Sequence, residues 1–239
     1  MDDAFAEITA NANQDHITID SFYHGSTLSI SGFSNPSDAD LIIKLTSPYG
    51  HQSLREKGKV ASFLWMNTGE LKIENVPNVY FLYSTRRIED ILSREEMDKY
   101  VIGYPALVRH ATINIPAGEE KTKWFNEFIK FKESSKLFNT SVGKISTIKR
   151  GRKQDYSISE KWPYQAPPGN YTAQVYAVKD KKVIEAAVVN VLVEQIGVVK
   201  SFADMAKNNA VLYGLISIAV ALGAGFGVGM VFRKSGGAH

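Results

Sequence analysis

The chain has no cysteine in its 239 residues. That removes disulfides, thiolate metal sites, iron–sulfur clusters, covalent haem attachment and cysteine nucleophiles. Histidine is sparse: His16, His24, His51, His110 and His239 stand apart, with no pair at metal-ligand spacing. No H-E-x-x-H, G-x-S-x-G, P-loop or G-x-G-x-x-G motif is present. No metal, cofactor or catalytic residue is therefore expected. A hydrolase with catalytic groups dispersed along the chain stays open as an alternative. Excess charge of one sign is also lacking. The net charge is +3 with 22% charged residues, well short of a nucleic-acid-binding profile. Hydrophobic residues make up 44%, enough to bury a core.

One long stretch lacks charge altogether. Residues 210–232 read AVLYGLISIAVALGAGFGVGMVF. At about 1.5 Å per residue such a helix reaches roughly 34 Å, enough to cross the ~30 Å hydrocarbon core of a bilayer. The length and the lack of polarity predict a transmembrane helix over a buried helix of a soluble protein.

Arg233 and Lys234 follow at once. By the positive-inside rule they anchor residues 233–239 in the cytoplasm and leave the N-terminal domain outside. Ala4-Phe5-Ala6 has the small-x-small form of a signal-peptidase site, so residues 1–14 read as an N-terminal segment with a remnant of that site. The alternatives are an ordinary polar N-terminus and a tail-anchored chain with a cytoplasmic domain; the basic tail argues against the latter.

Two rows of small residues run along the span. Ser217, Ala221, Gly225 and Gly229 form one, and Ala219, Gly223 and Gly227 form the other, on roughly the opposite face. Such rows let helix backbones approach closely in lipid. One row suggests a homo-oligomer, and two suggest packing between neighbours. Glycine and alanine are also simply common in membrane helices. Just upstream, GVVKSFADMAK places Val198, Val199, Phe202, Met205 and Ala206 at helical spacing, which predicts a juxtamembrane amphipathic helix at 196–209.

Residues 15–195 read as one β-rich domain. Short alternating segments (HITIDSFY, TLSIS, LIIKLTSP, KVASFLWM, ELKIENV, VYFLYST) separated by turn signals predict an antiparallel sandwich. A helical insertion is expected at about 87–138. Ser93 and Glu96 form a capping-box pattern, and residues 119–138 set Trp124, Phe128 and Phe131 on one stripe beside Phe125 and Ile129. Ala166-Pro167-Pro168-Gly169-Asn170-Tyr171 leads into YTAQVYAV, and Asp180-Lys181 turns the chain into VIEAAVVNVLVEQ. That lead-in suggests an immunoglobulin-like corner braced by Tyr171. The strongest charge cluster is Lys149, Arg150, Arg152 and Lys153 around Gly151. It reads as an exposed turn, or as a contact for an anionic partner or headgroups.

Three segments, HITIDSFYHGSTLSISG, ENVPNVYFLYSTR and APPGNYTAQVYAVKDKKVIE, precede the SFADMAKNNAVLYGLISIAVALGAGFGVGMVFRK anchor. In this order and spacing the chain resembles a putative transmembrane protein family first described from alphaproteobacteria. The resemblance covers nearly the whole chain. It implies a signal peptide, a periplasmic domain and an inner-membrane anchor, with biochemical function unassigned. It also implies a neighbouring permease of the sulfite-exporter type as a partner. The expectation is a single-pass, mainly β protein that serves a membrane complex as an accessory subunit. A periplasmic ligand-binding or sensing module is the alternative.

Overall fold

A computed structural model describes residues 6–20, 23–60, 64–114 and 120–235, with backbone alone for 54–60, 64–71, 198–199 and 231–235. Ala4 and Phe5 of the signal-peptidase pattern lie outside the described residues, as does His239. The chain forms two units. One comprises residues up to 17 and 24–194; the other comprises 18–23 and 195 onward.

The first unit is mostly strand, arranged in three sheets. The first sheet joins β1 (Glu7–Ile8) and β2 (Asn11–Ala12) to β4 (Thr27–Asn35), then β12 (Lys153–Lys161) and β11 (Ser146–Arg150). The second runs β10 (Phe138–Val142), β8 (Tyr80–Ser84), β5 (Asp40–Thr46), β13 (Gly169–Lys179), β14 (Lys182–Gln195) and β3 (His16–Ile19). The third joins β6 (Tyr49–Val60), β7 (Leu64–Pro77) and β9 (Thr112–Asn114).

Burial explains the layering. In the first sheet Leu28, Ile30, Tyr156 and Ile158 are buried, while Ser29, Ser31, Ser157 and Ser159 alternate with them toward water. That period of two is a one-sided sheet. In β5 and β8 every residue but Asp40 is buried, so the centre of the second sheet is covered on both faces. Tyr83 shows one cover: its hydroxyl donates to Glu160 on β12, 2.8 Å away. Tyr80 points the other way. Its hydroxyl donates to the Val101 carbonyl at 3.2 Å and accepts from the Gly103 amide at 2.8 Å. The second cover is helical: α1 (Ile88–Ile91), α2 (Arg94–Lys99), α3 (Tyr104–His110) and α4 (Lys121–Ser134).

Several expectations change in detail. The β8–β10 pair is parallel, with Phe138↔Tyr80 through Val142↔Ser84, so the strands are not wholly antiparallel. α4 reaches only to Ser134; Lys136 turns at φ 56° and Phe138 already begins β10. Phe131 is 50% exposed, whereas Lys132 is buried with Trp124, Phe125, Phe128 and Ile129. At about 100° per residue, 124, 125, 128, 129 and 132 share one arc and 131 falls off its edge. Ser93 caps α2 by accepting from the Glu96 amide at 3.3 Å. The other half of the box is missing, because the Ser93 amide already donates to the Lys181 carbonyl. Glu96 instead accepts from the Val183 amide at 2.9 Å and ties α2 to β14.

The corner before β13 is braced as expected. Tyr171 donates to the Pro167 carbonyl at 2.7 Å and packs edge-on against Trp162 at 4.6 Å. The N-terminal strands are held closely. The Tyr156 hydroxyl donates to the Thr9 carbonyl, and a Cβ added at Gly32 would overlap that same oxygen. Glycine at 32 is thus required by space, not by φ.

The second unit carries two helices, α5 (Gly197–Asn208) and α6 (Ala210–Ser235). Only Asn209 separates them, at φ −139° and ψ 56°, outside helical geometry.

Candidate functional site

Two places expected to interact can be located, and a third pair of residues escaped the sequence reading. The first is α6. Residues Ala210–Met230 form an apolar helix of mean hydropathy 2.1, none of it buried. Its internal hydrogen bonds satisfy its own backbone, as a lipid-spanning segment must. Ser217 adds a bond from its hydroxyl to the Tyr213 carbonyl at 2.8 Å. Gly223, Gly225, Gly227 and Gly229 each have nothing within 4 Å of where a Cβ would stand. With about 100° between residues, the mean directions of the two small-residue rows differ by roughly 180°. The helix backbone runs on through Arg233 and Lys234.

The second is the basic turn. Lys149 and Arg150 end β11, Gly151 takes φ 62°, and Lys153 begins β12, directly opposite Arg150 in the ladder. All four cations are exposed. Two are already engaged. Arg150 meets Asp155 at 2.8 Å. Lys153 meets Glu7 at 3.2 Å and lies 3.9 Å from the Phe33 ring centroid. The turn is therefore less positive than its sequence suggests.

The third is a pair of lysines inside the domain. Lys44, on β5, donates to the Tyr100 carbonyl at the end of α2, 2.5 Å away, and lies 5.8 Å from the Tyr176 ring centroid. Lys132, on α4, donates to Gln52 at 2.9 Å and to the Asn78 carbonyl at 3.3 Å, and lies 5.5 Å from the centroid of the Phe128 ring. Neither meets a carboxylate among the described residues. Burial lowers both ammonium pKa values from 10.5 to about 8. A separate open groove of about 710 Å³ lies along α1–α3. Leu92, Met97 and Pro105 line it with Glu89, Arg94, Asp98 and Arg109, and Arg109 is tied to Asp98 at 2.7 Å. Among the described residues no group of three or more His, Asp or Glu could hold a metal ion.

A family model described as "Putative transmembrane protein (Alph_Pro_TM)" matches residues 7–234. The chain belongs to that family. No curated protein matches it. Membership and the apolar α6 together make the chain a transmembrane protein with a β-rich domain.

In this family member the buried lysines set a pH dependence. Their folded pKa lies below the unfolded value, so between about pH 8 and 10 the unfolded chain binds more protons. Stability must rise with pH across that window. Buried Tyr80, Tyr83, Tyr171 and Tyr176 have raised pKa values and work in the opposite sense above pH 10. The melting temperature of the full chain in detergent is therefore expected to climb from pH 8 toward 10 and then fall. The double variant Lys44→Met, Lys132→Met should flatten the climb; an unchanged climb would assign it to other groups. No sequence signal announced either lysine, since each sits in an otherwise ordinary strand or helix pattern.

Proposed function

We propose that this protein is a non-enzymatic accessory or scaffold subunit of an inner-membrane complex. The domain lies in the periplasm, α6 crosses the membrane, and the tail with Arg233 and Lys234 lies in the cytoplasm. The partner is an integral membrane protein, with a permease of the sulfite-exporter type as the leading class. The observation that carries this reading is α6 itself. It is unburied and has two opposed rows of small residues, with open space at each glycine from 223 to 229. In lipid, where tails are as apolar as leucine, such faces associate by close backbone packing.

The orientation follows from the cationic tail after the span. A C-terminal alkaline phosphatase fusion to the precursor should be inactive, and a C-terminal cytoplasmic fluorescent reporter active. The reverse pattern would place the domain in the cytoplasm. Purification in mild detergent followed by mass spectrometry should return one multispanning protein in near-stoichiometric amount. Recovery of the chain alone, or only with copies of itself, would remove the accessory reading.

A second reading, a ligand-binding or sensing module, is favoured by the groove along α1–α3. Its volume of about 710 Å³ falls within the range of small-molecule sites.

A further inference from the structure

The second unit holds α5 as well as α6, and only Asn209 lies between them. That residue ends one helix and opens the next. Its amide donates to the Met205 carbonyl at 2.9 Å, and its carbonyl accepts from the Tyr213 amide at 3.0 Å. Its backbone, at φ −139° and ψ 56°, breaks the helical path. Because α6 crosses the bilayer from Ala210, the last turn of α5 stands at the membrane–water boundary.

α5 has two sharply different sides. At about 100° per residue, positions 198, 199, 205 and 206 fall within roughly 60° of Phe202. They are valine, valine, methionine and alanine. Lys200, Asp204 and Lys207 all fall within roughly 40° of the opposite direction. Among the described residues nothing covers the apolar side. Phe202 is 50% exposed, Ala206 is exposed and Met205 is only half-buried. Ser201, at the edge of that side, donates its hydroxyl to the Gly197 carbonyl at 3.1 Å, so it brings no unmet donor with it. A bilayer that begins one residue further on supplies the missing cover. It takes an apolar helix face down to the acyl boundary and leaves the charged face in water. Two lysines and one aspartate give that polar face a single excess positive charge, too little for headgroup charge to dominate.

We propose that α5 lies flat in the headgroup layer of the bilayer that α6 crosses, with Phe202, Met205 and Ala206 toward the acyl chains and Lys200, Asp204 and Lys207 toward water. The occupant of its apolar face is lipid, not a protein partner. Apolar burial holds it there, so the arrangement is nearly indifferent to headgroup charge. A surface helix joined to the span by one residue fixes the depth at which α6 enters the membrane. Ile196 alone separates it from β14, so no long free linker intervenes.

The absence of cysteine makes the test direct, because a single introduced thiol can carry a nitroxide label without competition. Ala206→Cys reports the apolar side of α5, Asp204→Cys the polar side and Val220→Cys the middle of α6. The full chain is reconstituted into phosphatidylethanolamine–phosphatidylglycerol vesicles. Collision with oxygen, which concentrates in lipid, is then compared with collision with a nickel chelate, which stays in water. The oxygen-to-nickel ratio should be several-fold higher at 206 than at 204, and highest at 220. The same contrast should hold in phosphatidylcholine vesicles. Adding Phe202→Glu and Met205→Glu should bring the ratio at 206 down to that at 204 and leave 220 unchanged. Met205→Cys is the second reporter if the label at 206 disturbs α5. Equal ratios at 204 and 206, with 220 still in lipid, would overturn the proposal, since α5 would then stand in water. Few collisions with either reagent at 206 would overturn it too, since protein would then cover the face. Loss of the contrast in phosphatidylcholine would overturn apolar burial as the holding force. A low ratio at 220 would overturn the span itself, and the proposal with it.

Discussion

Phe128→Ala is expected to be the most destabilising single change in the domain, by about 3–5 kcal/mol. Phe128 has no exposed surface. Its ring lies 5.7 Å from Phe125 and 5.7 Å from Phe138, the latter edge-on, so it joins α4 to the parallel strand β10. Three losses coincide in the variant. Apolar area returns to a cavity, two aromatic contacts go, and the ring beside the Lys132 ammonium disappears. The last matters because a buried ammonium depends on every favourable contact it keeps. At roughly 2–4 °C per kcal/mol for a domain of this size, the melting temperature should fall by about 6–20 °C. Phe131→Ala, half exposed on the same helix, should cost under about 1 kcal/mol. Equal effects from the two variants would mean that α4 packs by another face.

Gly225→Leu and Gly223→Leu should abolish co-purification of a membrane partner or of a second copy, while insertion stays intact. Leucine is at least as favourable in the bilayer as glycine, so the span still forms. Beyond the adjoining backbone of α6 itself, no atom of the described residues lies within 4 Å of the Cβ position at either residue, so the chain leaves room for the new side chain. Any defect must therefore arise between molecules, where the added bulk holds backbones apart. The two glycines belong to opposed rows. If one row meets a partner and the other meets a copy, one variant loses the partner and the other loses self-crosslinking. If both variants insert, express and co-purify like the parent, α6 is an anchor only, and partner contact must come from the domain.

Much of the candidate site could be read from the residues because it depends on local order. The uncharged run at 210–232, the cations at its end and the rows within it are all spaced along one helix, so periodicity alone locates them. The basic turn could be placed for the same reason, through Gly151 between two strand patterns. Its electrostatics could not. Lys153 meets Glu7, 146 residues away in sequence, and no local pattern shows that such a charge is already balanced. The buried lysines are a stronger case. Lys44 lies on β5, and its burial follows from α2 crossing over that strand to present the Tyr100 carbonyl.

By itself the sequence determined the class of this protein. A run of more than twenty residues without charge has to satisfy its backbone internally in lipid, so it is a helix wherever the rest of the chain goes. Alternation of apolar and polar residues likewise dictates a strand with one wet face, and the Pro-Gly-x-Tyr lead-in dictates the braced corner at Tyr171. Tertiary structure alone decided which strands became neighbours. The parallel β8–β10 pair joins segments more than fifty residues apart, with helices between them. It decided that Glu96 would reach β14 instead of closing its own cap, and that Lys132 would face inward while Phe131 faced water. The physical reason is the same in each case. Local periodicity states which residues can share a face. Only long-range packing supplies the hydrogen-bond acceptors and rings that make burying a charge on that face tolerable.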